Sequence, residues 1–174
     1  MTFRTLTARI PAARLLAGYC RPAEFLARCR ECPSFAATWQ CPPLAADPLD
    51  EPFSEAVVVT VEACLDEAER RSLAAAEVMA RASGRLGEAL ASLARETGGR
   101  TLCGIGPCRI CAPQPCTRPE GRPCRHPERV SPSLEACGID VVTLVRDLHG
   151  HGLQWPADGL LPSVLSATGA CLCS

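Results

Sequence analysis

AVVVTV, residues 56–61, is an unbroken β-branched apolar run of strand length, and how it is read decides the fold. A strand apolar on successive positions is buried on both faces, as parallel strands usually are. The stretch that follows, about residues 65–97, is rich in Ala, Leu, Arg and Glu. It has acids at 66, 67 and 69 near its start and Gly98-Gly99 at its end, which reads as one long helix. Leu86, Leu90 and Leu93 form its apolar stripe, while Gly84 and Gly87 weaken its middle by about 1 kcal/mol each relative to alanine. TLCGI, residues 101–105, then reads as the next strand. Strand, helix, strand in this order predicts a βαβ unit with a right-handed crossover and a parallel pair. The expectation is therefore an α/β fold over a single domain, residues 1–174: a small parallel or mixed sheet, helices packed on it, and cysteine-rich metal-binding loops at one edge. In such sheets ligands gather outside the carboxyl ends of strands, where Gly106-Pro107-Cys108 leaves the second strand.

Outward from this unit, residues 11–28 carry helically spaced apolar positions split by Gly18 and Pro22, which predicts one or two short helices. Residues 41–53 hold four prolines and read as an extended linker across a face of the domain. Ser131-Pro132 starts a short helix ending near Gly138, and Asp140 caps VVTLVRDLH. ATGACLCS, residues 167–174, is an edge or final strand.

Apolar residues make up 47% and aromatics 4% of the 174 residues, so the core is built from Ala, Leu and Val rather than rings. The net charge is −1 with no block of one sign, which gives no basis for a nucleic-acid or anionic-membrane partner. All basic residues apart from histidine are arginine, and neither lysine nor asparagine occurs. That excludes a Schiff-base lysine, a P-loop lysine and a Cys-His-Asn constellation. Arg4, Arg9 and Arg14 interrupt any signal-peptide core, and no apolar run reaches the length of a membrane span, so the expected compartment is cytoplasmic.

Thirteen cysteines, an odd number, in a chain read as cytoplasmic point away from disulfides and towards metal ligation. The first group, CRECPSFAATWQCPP, sets Cys29 and Cys32 at C-x2-C spacing with Cys41 following. Such a turn aims two thiolates at one metal or cluster. The second group, GPCRICAPQPCTRPEGRPCRHP, sets Cys108, Cys111, Cys116 and Cys124 at C-x2-C-x4-C-x7-C, enough thiolates for one complete site. The Cys-Pro pairs and irregular spacings favour iron–sulfur, in the [4Fe–4S] form, over zinc. Trp39 and Phe35 are candidate water-excluding walls, and Arg28, Arg30, Arg109, Arg118, Arg122 and Arg125 are available to offset thiolate charge. The first group lacks a fourth cysteine at short range. Cys20, Cys171 and Cys173 are the candidates for it; otherwise a metal position stays open, as at catalytic sites. All seven thiolates converging on a shared site is a further arrangement. Cys64, Cys103 and Cys137 fall in regular elements as small buried hydrophobes. His126 is an alternative ligand beside Cys124, and His149 and His151 close a helix.

Taken together, CRECPSFAATWQCPP, GPCRIC with PCRHPE, and SPSLEACGIDV resemble a family of small prokaryotic predicted metal-binding proteins of unknown function. The resemblance implies metal binding through Cys29, Cys32, Cys41, Cys108, Cys111, Cys116 and Cys124 and no defined reaction. The chain departs from the family in its APQP segment before Cys116. The functional expectation is an iron–sulfur protein with a redox, electron-transfer or cluster-based catalytic role and a redox partner protein. The alternatives are a zinc-stabilised binding module and a metal- or sulfur-handling protein.

Overall fold

The computed structural model describes residues 1–106 and 108–174. Four strands form one sheet: β1 (Thr2–Pro11), β2 (Glu55–Cys64), β3 (Arg100–Leu102) and β4 (Val164–Cys173), in spatial order β1-β2-β4-β3. Every pairing is antiparallel. The expected parallel or mixed sheet with a βαβ unit is therefore wrong. β2 and β3 both run antiparallel to β4, so they point the same way, but β4 lies between them and leaves no parallel pair. The apolar run 56–61 reports cover on both faces, not strand direction. Alternate residues Ala56 and Val58 face one core cluster, while Val57, Val59 and Val61 face another.

On the first face lie α1 (Ala12–Tyr19) and α5 (Val141–His149), which bury Leu15, Tyr19, Leu144 and Val145 against Ile10, Val58 and Leu172. On the second lies α4 (Ala75–Thr97), whose Ala82, Leu86 and Leu90 pack on Val57, Val59, Ala167 and Cys171. The long helix is divided, though not at its glycines. α3 (Glu67–Ser72), opened by a capping box between Asp66 and Glu69, ends at Leu73, and α4 runs unbroken through Gly84 and Gly87. The break lets Leu73 join Leu65, Val78, Leu161 and Leu165 in a third apolar cluster. Gly98 closes α4 at φ 66°, and at Gly99 a Cβ would stand 2.6 Å from the Leu172 carbonyl, so the turn into β3 needs both glycines.

Gly18 and Pro22 do separate two helices, α1 and α2 (Pro22–Arg30). Asp140 caps α5 by accepting from Thr143 N at 3.1 Å. The expected helix from Ser131 shrinks to one 3-10 turn, Glu135–Cys137. The C-terminal strand is central rather than an edge. β1 is one edge strand and β3 the other. Arg4 of β1 pairs with Glu62, a fully buried carboxylate of β2 that also lies 3.3 Å from His151 Nε2. The linker lies across the first face, where Leu44, Leu49 and Phe53 pack on the core and Arg100 donates to Glu51 O at 2.8 Å. Among the described residues, no helix is long and apolar enough to cross a membrane.

Candidate metal centre

The chain leaves β3 into a long irregular loop that is closed at its base. Cys103 N and Gly104 N donate to Pro132 O at 3.0 and 3.1 Å. The Ser131 hydroxyl accepts from Cys103 N at 2.9 Å and donates to Thr101 O at 2.6 Å. At Gly104 a Cβ would stand 2.5 Å from Gln40 Nε2 and 2.6 Å from Ser131 O, so only glycine allows Gln40 to reach in and donate to Gly106 O at 3.0 Å. Pro107, in the loop named from sequence, lies outside the described residues.

Inside this loop, Cys108, Cys111, Cys116 and Cys124 all line one cavity of about 300 Å³, with Trp39 and Val130 in its wall. Burial pushes the Cys108 thiol above its ordinary value. A hydrogen bond from the Ile110 backbone opposes this, and the Cys116, Cys111 and Cys124 thiols add to the upward shift. Thr117, 3% exposed, anchors the cavity by donating to Pro123 O at 2.8 Å and accepting from Trp39 Nε1 at 3.3 Å.

The first group is built differently. Cys29 lies in the last turn of α2, and successive turns carry Cys32, which is exposed, and Cys41, which is half-buried. Burial raises the Cys29 thiol first; the charges of Cys32, Cys41 and Glu135 raise it further. The acceptor sulfurs of the two groups share one local geometry. Ser34 N donates to Cys32 Sγ at 3.5 Å, and His126 N donates to Cys124 Sγ at 3.4 Å. Both sulfurs thus accept from the amide two residues on. Such bonds stabilise thiolate and tune a metal held by it. Thr38 Oγ1 adds a bond to Cys41 Sγ at 3.4 Å.

Arg118 joins the groups. Its guanidinium donates to Thr38 O at 2.6 Å and to the carbonyls of Cys41 and Pro43, and it lies over the Trp39 ring at 5.1 Å. Of the other arginines named from sequence, Arg109 lines the cavity of the four thiols, and three more have partners of their own. Arg125 donates to Pro115 O, Arg122 pairs with Glu120, and Arg28 pairs with Glu24. Of the two aromatic walls, Trp39 lines the cavity and Phe35 does not. His126 directs its ring at Glu128, 3.9 Å away, and meets Cys124 through its backbone.

All thirteen cysteines are free thiols. Cys171 and Cys173 are buried on the sheet face under α4, and Cys20 bridges Ile139 beside the first core cluster. Cys137 is buried, Cys103 packs at the rim of the α4 cluster, and Cys64 ends β2. The charge acting on Cys29 from outside its own group is that of Glu135, over a hundred positions away in the chain.

The four thiols, with no carboxylate among the cavity's lining residues, suit zinc, copper(I) or iron–sulfur better than magnesium or calcium. Among the described residues, no three His, Cys, Asp or Glu side chains stand as a ready group for a single metal ion. A tetrahedral zinc–thiolate site with bonds of ~2.3 Å needs its sulfurs within about 4 Å of one another. The thiol chemistry around the cavity suits a metal group, whereas the thiols as placed do not form a closed site, so closure is left to binding itself.

Residues 20–163, most of the chain, match the model of the family described as predicted metal-binding protein (DUF2284), and the chain belongs to that family. No curated protein and no solved structure matches it.

Proposed function

From membership of a metal-binding family, we propose that the chain is an iron–sulfur protein: Cys108, Cys111, Cys116 and Cys124 hold one [4Fe–4S] cluster, and Cys29, Cys32 and Cys41 are ligands of a second. The observation that carries the reading is the cavity of about 300 Å³ ringed by four free thiols. That is about ten times the ~30 Å³ share of one water, far more than a lone ion fills. The hydrogen bonds that Cys32 and Cys124 accept support it, since these are the means by which a protein stabilises a reduced, electron-rich cluster.

A bound cluster supplies one-electron chemistry. The chain's own residues hold it and control its surroundings. Trp39, fixed by Thr117 and Arg118, excludes water from the second centre, and a dry wall strengthens every charge interaction inside. Arg118 brings positive charge beside both centres and fixes their separation through three carbonyls of the first loop. Cys32, exposed at the surface, gives the first centre contact with a redox partner protein or a small substrate.

Anaerobic purification with iron, zinc and acid-labile sulfide assays tests this. The expected product is brown, with iron and sulfide in equal amounts. A colourless protein with stoichiometric zinc and no sulfide overturns the cluster and leaves a thiolate-zinc module.

A further inference from the structure

The irregular loop that leaves β3 carries five arginines between Cys103 and Ser131, and they divide into two kinds. Arg118, Arg122 and Arg125 are engaged, by carbonyls of the first cysteine loop, by Glu120 and by Pro115 O. Arg109 and Arg129 form no ion pair among the described residues. These two line one cavity of about 600 Å³, in which no described lining residue is a carboxylate. We propose that this cavity binds a small organic oxyanion, a carboxylate or a phosphate ester, with Arg109 and Arg129 as its cationic partners.

A guanidinium stays charged at any physiological pH, and its planar fork matches two oxygens of a carboxylate or phosphate. Two of them on the wall of a concave site, without a carboxylate beside them, give that site a positive field. Arg129 is placed by the 3-10 turn Pro127–Arg129, closed by its own amide donating to His126 O at 3.0 Å. The cavity also has a fixed neutral donor. Gln40, 8% exposed, uses one of its two amide hydrogens on Gly106 O at 3.0 Å, which leaves the second for a ligand. Another wall is one face of α4, where Ala76, Met79, Ala80 and Ser83 recur at helical spacing. Two alanines and a serine leave room there, and Met79 offers apolar contact. The volume lies within the range of roughly 300–1,000 Å³ usual for small-molecule sites, so an organic body accompanies the anionic group. Arg109 lines the cavity of the four thiols as well, so the anion site and the second centre share a wall. Binding requires no particular metal in that centre, and the proposal is independent of the choice between iron–sulfur and zinc.

The test is made on the full chain, purified anaerobically in its isolated metal state, by titration calorimetry at constant ionic strength with phenyl phosphate, benzoate and neutral benzamide. The expected result is saturable binding of at least one of the two anions, one per chain, and none of benzamide. Tighter phenyl phosphate assigns a phosphate ester, and tighter benzoate a carboxylic acid. Arg129→Ala weakens the binding about tenfold or more, and Arg129→Lys by less. Ala80→Leu, a change at an exposed position of α4 that fills the cavity, weakens it with the unfolding midpoint kept. Arg95→Ala, which removes an exposed charge from the last turn of the same helix, leaves it unchanged. Benzamide bound as tightly as the anions overturns the proposal. So does affinity that is the same in wild type, Arg129→Ala and Ala80→Leu, or the absence of saturable binding of either anion in the millimolar range.

Discussion

Cys108, Cys111, Cys116 and Cys124 ring one cavity beneath the Trp39 indole, whereas Cys29, Cys32 and Cys41 follow a helix end and a series of surface turns with Cys32 open to solvent. The enclosed group has its ligands within one loop that is pinned at its base by Ser131 and Pro132. The open group is tied to the second loop by Arg118, through the carbonyls of Thr38, Cys41 and Pro43. One chain thus carries an enclosed group of thiols and an open one. The difference lies in their walls as much as in their ligand counts.

The sharpest way to break this comparison is to remove a ligand of the enclosed group. Cys116→Ser is expected to abolish that centre, with its iron and sulfide lost and those of the first centre kept, as read by metal and sulfide analysis. Amides of the loop between β3 and the Glu135 turn should then lose hydrogen-exchange protection, while β2 and β4 keep theirs. A large effect of another kind comes from the scaffold. Leu90→Ala removes a side chain 1% exposed under the sheet and is expected to cost about 2–5 kcal/mol in denaturant unfolding, with metal content per folded chain unchanged. Arg118→Ala acts between the two groups. Losing a charged donor to three carbonyls is expected to cost about 2–3 kcal/mol and to loosen both loops, and Arg118→Lys should rescue little because the fork is lost.

The smallest expected effect lies away from both centres, at Asp140. Burial acts to raise its carboxyl, but the Thr143 backbone and hydroxyl, with Arg21 and Arg28, hold it below the ordinary aspartate value. A depressed folded value stabilises above the unfolded pKa of ~3.9 and is lost as pH falls through the folded one. Asp140→Ala should therefore cost about 1 kcal/mol at neutral pH and almost nothing in strong acid, by thermal unfolding across pH.

The cysteine groups were legible because C-x2-C turns act locally, within a few residues of chain. The same holds for the Asp140 cap, the Gly18–Pro22 break and Gly98 at the end of α4. Strand direction was not legible. The run 56–61 shows that both faces of β2 are covered, and α4 covers one of them, but nothing local announces that residues 164–173 insert between β2 and β3. β1 escaped notice for the opposite reason. An edge strand exposes most of its side chains, so TFRTLTARI has weak alternation and arginines where a core strand has valines. The packing of the Glu135–Cys137 turn on α2 could not be found from spacing either, since no motif marks it.

The central place of β4 also sets an order of events. β3 pairs with β4 and no other strand, so the base of the second cysteine loop has no fixed sheet edge until residues 164–173 have been made and docked. During synthesis both cysteine groups leave the ribosome before that strand. For that interval the nascent chain carries seven reduced thiols on loops that are not yet anchored, open to any metal or oxidant the cell presents. On the iron–sulfur reading proposed above, delivery of the cluster is then a matter of timing and supply as well as affinity.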